Sequence, residues 1–266
     1  MVTEFPAHLP RRAVEALVLS LADDELTLGH RDSEWTGHAP ILEEDIAFSN
    51  IAQDELGHSL VWYTLYEELT GRSPDCLAFE RRWNDFTNCH FVSYPKGDFA
   101  YTVVRQYLFD AAEQTRLKSF CTSSYQPIKD IAAKLIREEA YHVMHLQGLV
   151  ERLGDATEES HRRMQAALDA AFPQALGIFE PIGEEQELVR AGVFPGNDVL
   201  QNQWMMKVVP LLAASTLSVP VESRDGTIKI LCGTDYGGRR GTHIEHMKQL
   251  VDDLQYVYRM VPGAKW

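Results

Sequence analysis

Two stretches of this chain repeat apolar side chains at alternating steps of three and four, and each carries Glu-x-x-His in the middle of the repeat. One runs Phe48, Ile51, Glu55, His58, Trp62, Leu65, Leu69; the other runs Ile128, Ala132, Leu135, Glu139, His142, Leu146, Leu149, Leu153. That spacing is one face of an α-helix, the face that turns towards a core. A carboxylate buried there without compensation costs more free energy than a fold tolerates. The pattern therefore demands an apolar partner surface and a positive charge inside it. With 22 Glu and ten His in 266 residues, one Glu-x-x-His is expected by chance. A third match, Glu158–His161, sits in the wholly polar run EESHRR and reads as a solvated helix start.

Two further helices supply acids of the same kind. Segment 11–30 carries Glu25 in the stripe Val14, Leu17, Leu21, Glu25, Leu28. Asp98 is an N-cap for a helix over 99–121, which carries Asp110 and Glu113 in the stripe Phe99, Val103, Gln106, Asp110, Glu113, Leu117, Phe120. Residues equidistant from an antiparallel turn lie at one height. The midpoint of Asp110 and Glu139 falls in the turn around Ser123–Pro127, and that of Glu25 and Glu55 falls at Pro40. Four carboxylates can thus share one level, with Glu113 about 4.5 Å away along the axis. Two Glu-x-x-His pairs plus one carboxylate from each of two other helices form the two-metal pattern of ferritin-like bundles, holding iron or manganese. The expected ligands are Glu25, Glu55, His58, Asp110, Glu139 and His142. Asp54 and Glu138 read as solvated or supporting neighbours, His145 as a hydrogen-bonded core histidine, and His243 and His246 as having no companion ligands. The basic loop Gly237–Gly241 offers Arg239 and Arg240 to a phosphate, although a plain surface turn is the commoner fate of such a run.

The fold reading is all-α: a four-helix bundle over about 11–154 with additional helices over about 155–266, within a single domain 1–266. The second helix, 41–70, stops at Gly71 with Pro74 beyond, and the fourth ends near Gly154. Later helices are expected at 157–172, 184–191, 197–217 and 242–260. Residues 71–97 look irregular, and 218–241 has strand or loop character. The pattern leaves open whether the later helices wrap the bundle or form a lobe. The formal charge of −14 disfavours nucleic acid and anionic membrane surfaces as partners. No window of 18 apolar residues lacks charge, and residues 1–21 lack the basic start of a signal peptide. Four scattered cysteines form no CxxC pair, as expected for reduced thiols in a cytoplasm.

At these residues the chain resembles the subunits of bacterial phenylacetyl-CoA epoxidase, a multicomponent di-iron monooxygenase. DSEWTGHAPILEEDIAFSNI (residues 32–51) and GGRRGTHIEH with QYVYRMVPGAKW near the end resemble its structural C-type subunit. QDELGH (53–58), LFDAA (108–112), CTSSYQP (121–127) and REEAYH (137–142) resemble its catalytic A-type subunit, which has an aspartate at the position of Asp110. C-type subunits lack the full ligand set that this chain retains. The resemblance implies two iron ions, with manganese as the alternative, and insertion of one oxygen atom from O2 into an aryl-CoA or related acyl-CoA substrate. It implies an external reductase, since the chain has no flavin fingerprint, and a homo-oligomer or a hetero-oligomer with related subunits. The rival readings are a di-metal oxidase that does not use CoA and a non-catalytic structural subunit.

Overall fold

The computed structural model describes residues 5–224, 227–261 and 264. In chain order the helices are α1 (Arg11–Ser33), α2 (Leu42–Thr70), α3 (Pro74–Phe79), α4 (Phe99–Phe120), α5 (Gln126–Asp155), α6 (Glu158–Ala175), α7 (Glu185–Arg190) and α8 (Asn197–Ala214). An antiparallel hairpin follows, β1 (Val221–Arg224) and β2 (Thr227–Ile230), with Val221 opposite Ile230. Then come α9 (Glu245–Leu254) and α10 (Tyr256–Met260). Among the described residues the protein is all-α apart from this hairpin. Asp225, Gly226 and the tail residues Pro262, Gly263, Lys265 and Trp266, part of the resemblance above, lie outside the described residues. Among the described residues no helix is long and apolar enough to cross a membrane.

The chain groups into two compact units, one within residues 1–95, 182–184 and 236–266, the other within 96–181 and 185–235. In the first, α1 packs on α2 and the predicted stripes are buried: Val14, Leu17, Leu21 and Leu28 against Phe48, Ile51, Trp62 and Leu65. The Ser59 hydroxyl donates to the Ala22 carbonyl at 2.9 Å and fixes the pairing. α2 stops at Gly71, whose left-handed φ of 78° suits glycine and lets its N–H reach the Glu67 carbonyl at 2.7 Å. The region 71–97 holds α3, capped by Ser73 with Pro74 in the first turn, and two 3-10 turns. The expected helix over 242–260 is broken at Gln255. Its buried amide donates to the carbonyls of Ala78 and Arg81 and turns the chain there.

α1 is buried well beyond its apolar stripe. Asp23 accepts from the Tyr63 hydroxyl at 2.6 Å, from the Thr87 N–H at 2.7 Å and from the Arg81 guanidinium. Burial, and then the Asp23 charge, hold the Tyr63 phenol well above its ordinary range, so it remains a donor. Asp24 accepts from the Cys89 N–H at 2.8 Å and from both Arg239 nitrogens at 2.9 and 2.6 Å.

In the second unit α4 is the hub, packed against α5, α6 and α8. It is buried around most of its circumference, including Arg105, Tyr107, Leu108 and Phe109, rather than along one stripe. The later helices explain this: α6 and α8 also pack on α4, and the Trp204 indole of α8 donates to the Leu108 carbonyl at 2.9 Å. Asp98 caps α4 as its sequence predicts, accepting from the Tyr101 N–H at 2.9 Å.

The Asp24–Arg239 pair yields a direct expectation. Arg239→Met leaves Asp24 buried with its main cation gone, which costs about 3–5 kcal/mol. The urea midpoint should fall accordingly at unchanged slope. A loss below about 1 kcal/mol would class the pair with exposed ones.

Candidate metal centre

The six expected ligands are all buried. Within the first unit, α1 supplies Glu25 and α2 supplies Glu55 and His58; one ligand atom from each lies within 4.8 Å of the others. On α2 the i, i+3 spacing puts both groups on one side, with His58 Nδ1 3.8 Å from Glu55 Oε2. Two bonds of about 2.1 Å to one divalent ion span that separation. Exposure of the three residues is at most 1%. A close approach of the helices serves this grouping. A Cβ on Gly29, one turn beyond Glu25, would lie 3.1 Å from the Ala52 carbonyl oxygen and from the Glu55 Cβ. A side chain at position 29 would force these neighbours to give by a few tenths of an ångström, so glycine suits this close approach of α1 to the acid of α2.

The buried arginines of this unit stand elsewhere. Arg81 is taken by Asp23 and Arg239 by Asp24, the two residues just before Glu25, and Arg31 by Glu34 and the Ser93 carbonyl. Two acids and a neutral-capable imidazole form a donor set suited to a first-row divalent ion, and the residues present fit one.

Within the second unit, Asp110 lies on α4 and Glu139 and His142 lie on α5, all fully buried. The turn over 121–125 joins the two helices as a packed hairpin. His142 Nδ1 is 3.5 Å from Glu139 Oε1, the same i, i+3 arrangement as on α2. The buried Gln106 amide donates to Asp110 Oδ1 at 2.8 Å and orients that carboxylate. Glu113, the competing acid on α4, is bound by the Arg116 guanidinium, itself buried. Arg116 thus gives Glu113 a structural ion pair.

The remaining candidates fall outside these groups. Asp54 is half-buried and Glu138 exposed beside their neighbouring ligands. His145 stacks on Tyr141 with ring centroids 6.3 Å apart. His161 caps the end of α5 through Gly154 O at 2.8 Å, and Glu158 is exposed. His243 donates to the Phe86 carbonyl at 2.8 Å, and burial lowers its pKa; His246 is exposed. Arg239, offered above to a phosphate, has a side chain 3% exposed and forked onto Asp24, so it braces α1 instead. Arg240 is exposed. Sequence reasoning missed the supporting roles of Asp23, Asp24, Gly29, Gln106 and Arg116. The consecutive aspartates just before a stripe acid were the available signal.

The family described as phenylacetic acid catabolic protein matches residues 3–266. The chain belongs to that family. Over 252 residues it is 34% identical to the C-type subunit of the 1,2-phenylacetyl-CoA epoxidase of Escherichia coli (strain K12), covering 94% of this chain and 98% of that protein. It is 24% identical over 194 residues to the A-type subunit of the same organism's epoxidase, covering 71% of this chain and 62% of that protein. This member of the phenylacetic acid catabolic family therefore carries acid and histidine groups that can bind a metal ion.

The different surroundings of the two α4 acids make them separable. Asp110→Ala should lower divalent metal uptake, read by competition with a chromophoric chelator. Glu113→Ala should keep that uptake and instead cost about 3–5 kcal/mol of stability, because Arg116 is left buried without its carboxylate. Equal metal loss in both variants would contradict the assignment.

Proposed function

We propose that this chain is the metal-bearing, oxygen-activating component of an epoxidase of the phenylacetyl-CoA type. In this reading the chain is a single ferritin-like domain. Glu25, Glu55, His58, Asp110, Glu139 and His142 then hold two iron ions, with manganese as the alternative occupant. The observation that carries the proposal is the buried Glu25–Glu55–His58 group, two acids and an imidazole within ligand reach of one another. The matching buried pair Glu139–His142 and the oriented Asp110 support it.

A reduced pair of iron ions supplies the two-electron reduction of dioxygen, so that one oxygen atom enters the aryl ring of the substrate and the other leaves as water. The protein's own part is to hold, orient and exclude. Four carboxylates offset the charge of two divalent cations, the imidazoles supply neutral donors, and Gln106 fixes the direction of Asp110. The apolar shell of Phe48, Ile51, Leu135 and Leu146 keeps bulk water from the ligands. Two electrons per turnover come from an external reductase. The substrate class is an aryl-CoA or related acyl-CoA thioester, the working assembly is a hetero-oligomer with related subunits, and the compartment is the cytoplasm.

A second reading has its own support. Similarity to the C-type subunit is stronger and longer than to the A-type, which favours a structural role in which this chain stabilises a catalytic partner. The two readings part under isotope labelling. The iron-loaded, reduced protein, given a reductase and phenylacetyl-CoA, should place one ¹⁸O from ¹⁸O2 in the thioester. Iron shown to be bound and reducible, with no label in any of a series of acyl-CoA thioesters, would favour the structural reading. Oxygen consumption without acyl-CoA turnover would instead mark a di-metal oxidase.

A further inference from the structure

The second unit contains a cleft of about 520 Å³ that shares no residue with the candidate ligands. One wall is the end of α4 and the turn after it, where Thr115, Lys118 and Ser119 are followed by Thr122. The other wall is α7 and the segment after it, which contribute Val189 and Pro195 respectively. Gln203 of α8 closes the edge, and one turn further on Lys207 lays its ammonium on the Thr115 hydroxyl at 2.6 Å. No Asp or Glu lines this cleft among the described residues. In a chain with 39 acids and 25 Lys and Arg, a cleft lined by Lys118, with Lys207 bound to a lining hydroxyl and no lining carboxylate, is unusual.

The partners of these lysines are neutral. Lys118 donates to the Gln114 amide oxygen at 2.9 Å and Lys207 to Thr115. Each ammonium has three donors and uses one of them in this way, so two remain on each. The Lys207 amine is partly withdrawn from water, and this, together with the Lys118 charge, pushes its pKa down to about 8. Bringing two like charges together costs free energy that an anion between them recovers.

We propose that this cleft is an anion site that takes a phosphate-bearing small molecule, with the phosphate between Lys118 and Lys207 and an apolar or heterocyclic body along Val189 and Pro195. The hydroxyls of Ser119 and Thr122 donate to the carbonyls of Arg116 and Ser119, which fixes them as a rigid polar floor. The site stands apart from the proposed metal centre and does not depend on it.

The test is calorimetric titration of the full chain with inorganic pyrophosphate, AMP and coenzyme A. At least one should bind saturably, and Lys118→Gln/Lys207→Gln should weaken it at least about tenfold, through the loss of charge-assisted hydrogen bonds. Lys134→Gln on α5, an equal change of net charge per site away from the cleft, should leave affinity unchanged. If the double variant does not fold, Lys118→Gln alone reads the same effect at an exposed ammonium. Pyrophosphate binding as tightly as AMP identifies a bare phosphate site, and tighter AMP or coenzyme A identifies one that also uses the apolar wall. As a second readout, the bound ligand should protect Lys207 from acetylation near pH 8, followed by mass spectrometry. No saturable binding of any of the three, equal weakening by Lys134→Gln, or no protection of Lys207 would overturn the proposal.

Discussion

A carboxylate removed from water must meet positive charge or several hydrogen-bond donors, and α1 meets that demand in two ways within three residues. Asp23 and Asp24 take Arg81 and Arg239, two arginines brought from distant parts of the chain. Glu25, next in sequence, turns instead towards Glu55 and His58. Arginine pairs and metal ions are alternative compensations for the same desolvation cost. Using arginines on one side of the helix fixes its orientation. Glu25 is thereby presented to α2 with little freedom to turn away.

The same division recurs on α4. Glu113 is held by Arg116, and Asp110 is oriented by Gln106 through a neutral amide that leaves its negative charge uncompensated by that contact. A neutral donor aims a ligand without competing for it as a cation would. In both units, then, an acid one to three residues from a candidate ligand carries the structural ion pair. The sites suited to chemistry are embedded in a framework whose electrostatics is already settled around them.

Much of this was legible in the sequence because helix periodicity is a local property. The stripes of α2 and α5, the Asp98 cap and the Gly71 stop all follow from side chains a few residues apart. The six candidate ligands could be picked out because a polar residue in mid-stripe stands out against its neighbours. What was not legible depends on contacts far apart in the chain. The burial of α4 on nearly every face requires Trp204 of α8, and the break at Gln255 requires the carbonyls of Ala78 and Arg81. Arg239 looked like a free basic loop residue because its partner Asp24 lies 215 positions away. Gly29 carried no signal of its own, since its role exists only where α2 passes within van der Waals distance.

In the proposed function the buried acids and histidines of both units hold metal. Crystals of the iron-loaded protein, measured for anomalous scattering on both sides of the iron absorption edge, address it most directly. Two iron peaks per chain are expected, one bonded by Glu25, Glu55 and His58 and the other by Asp110, Glu139 and His142. Well-ordered density for these six side chains with no anomalous peak among them would contradict it.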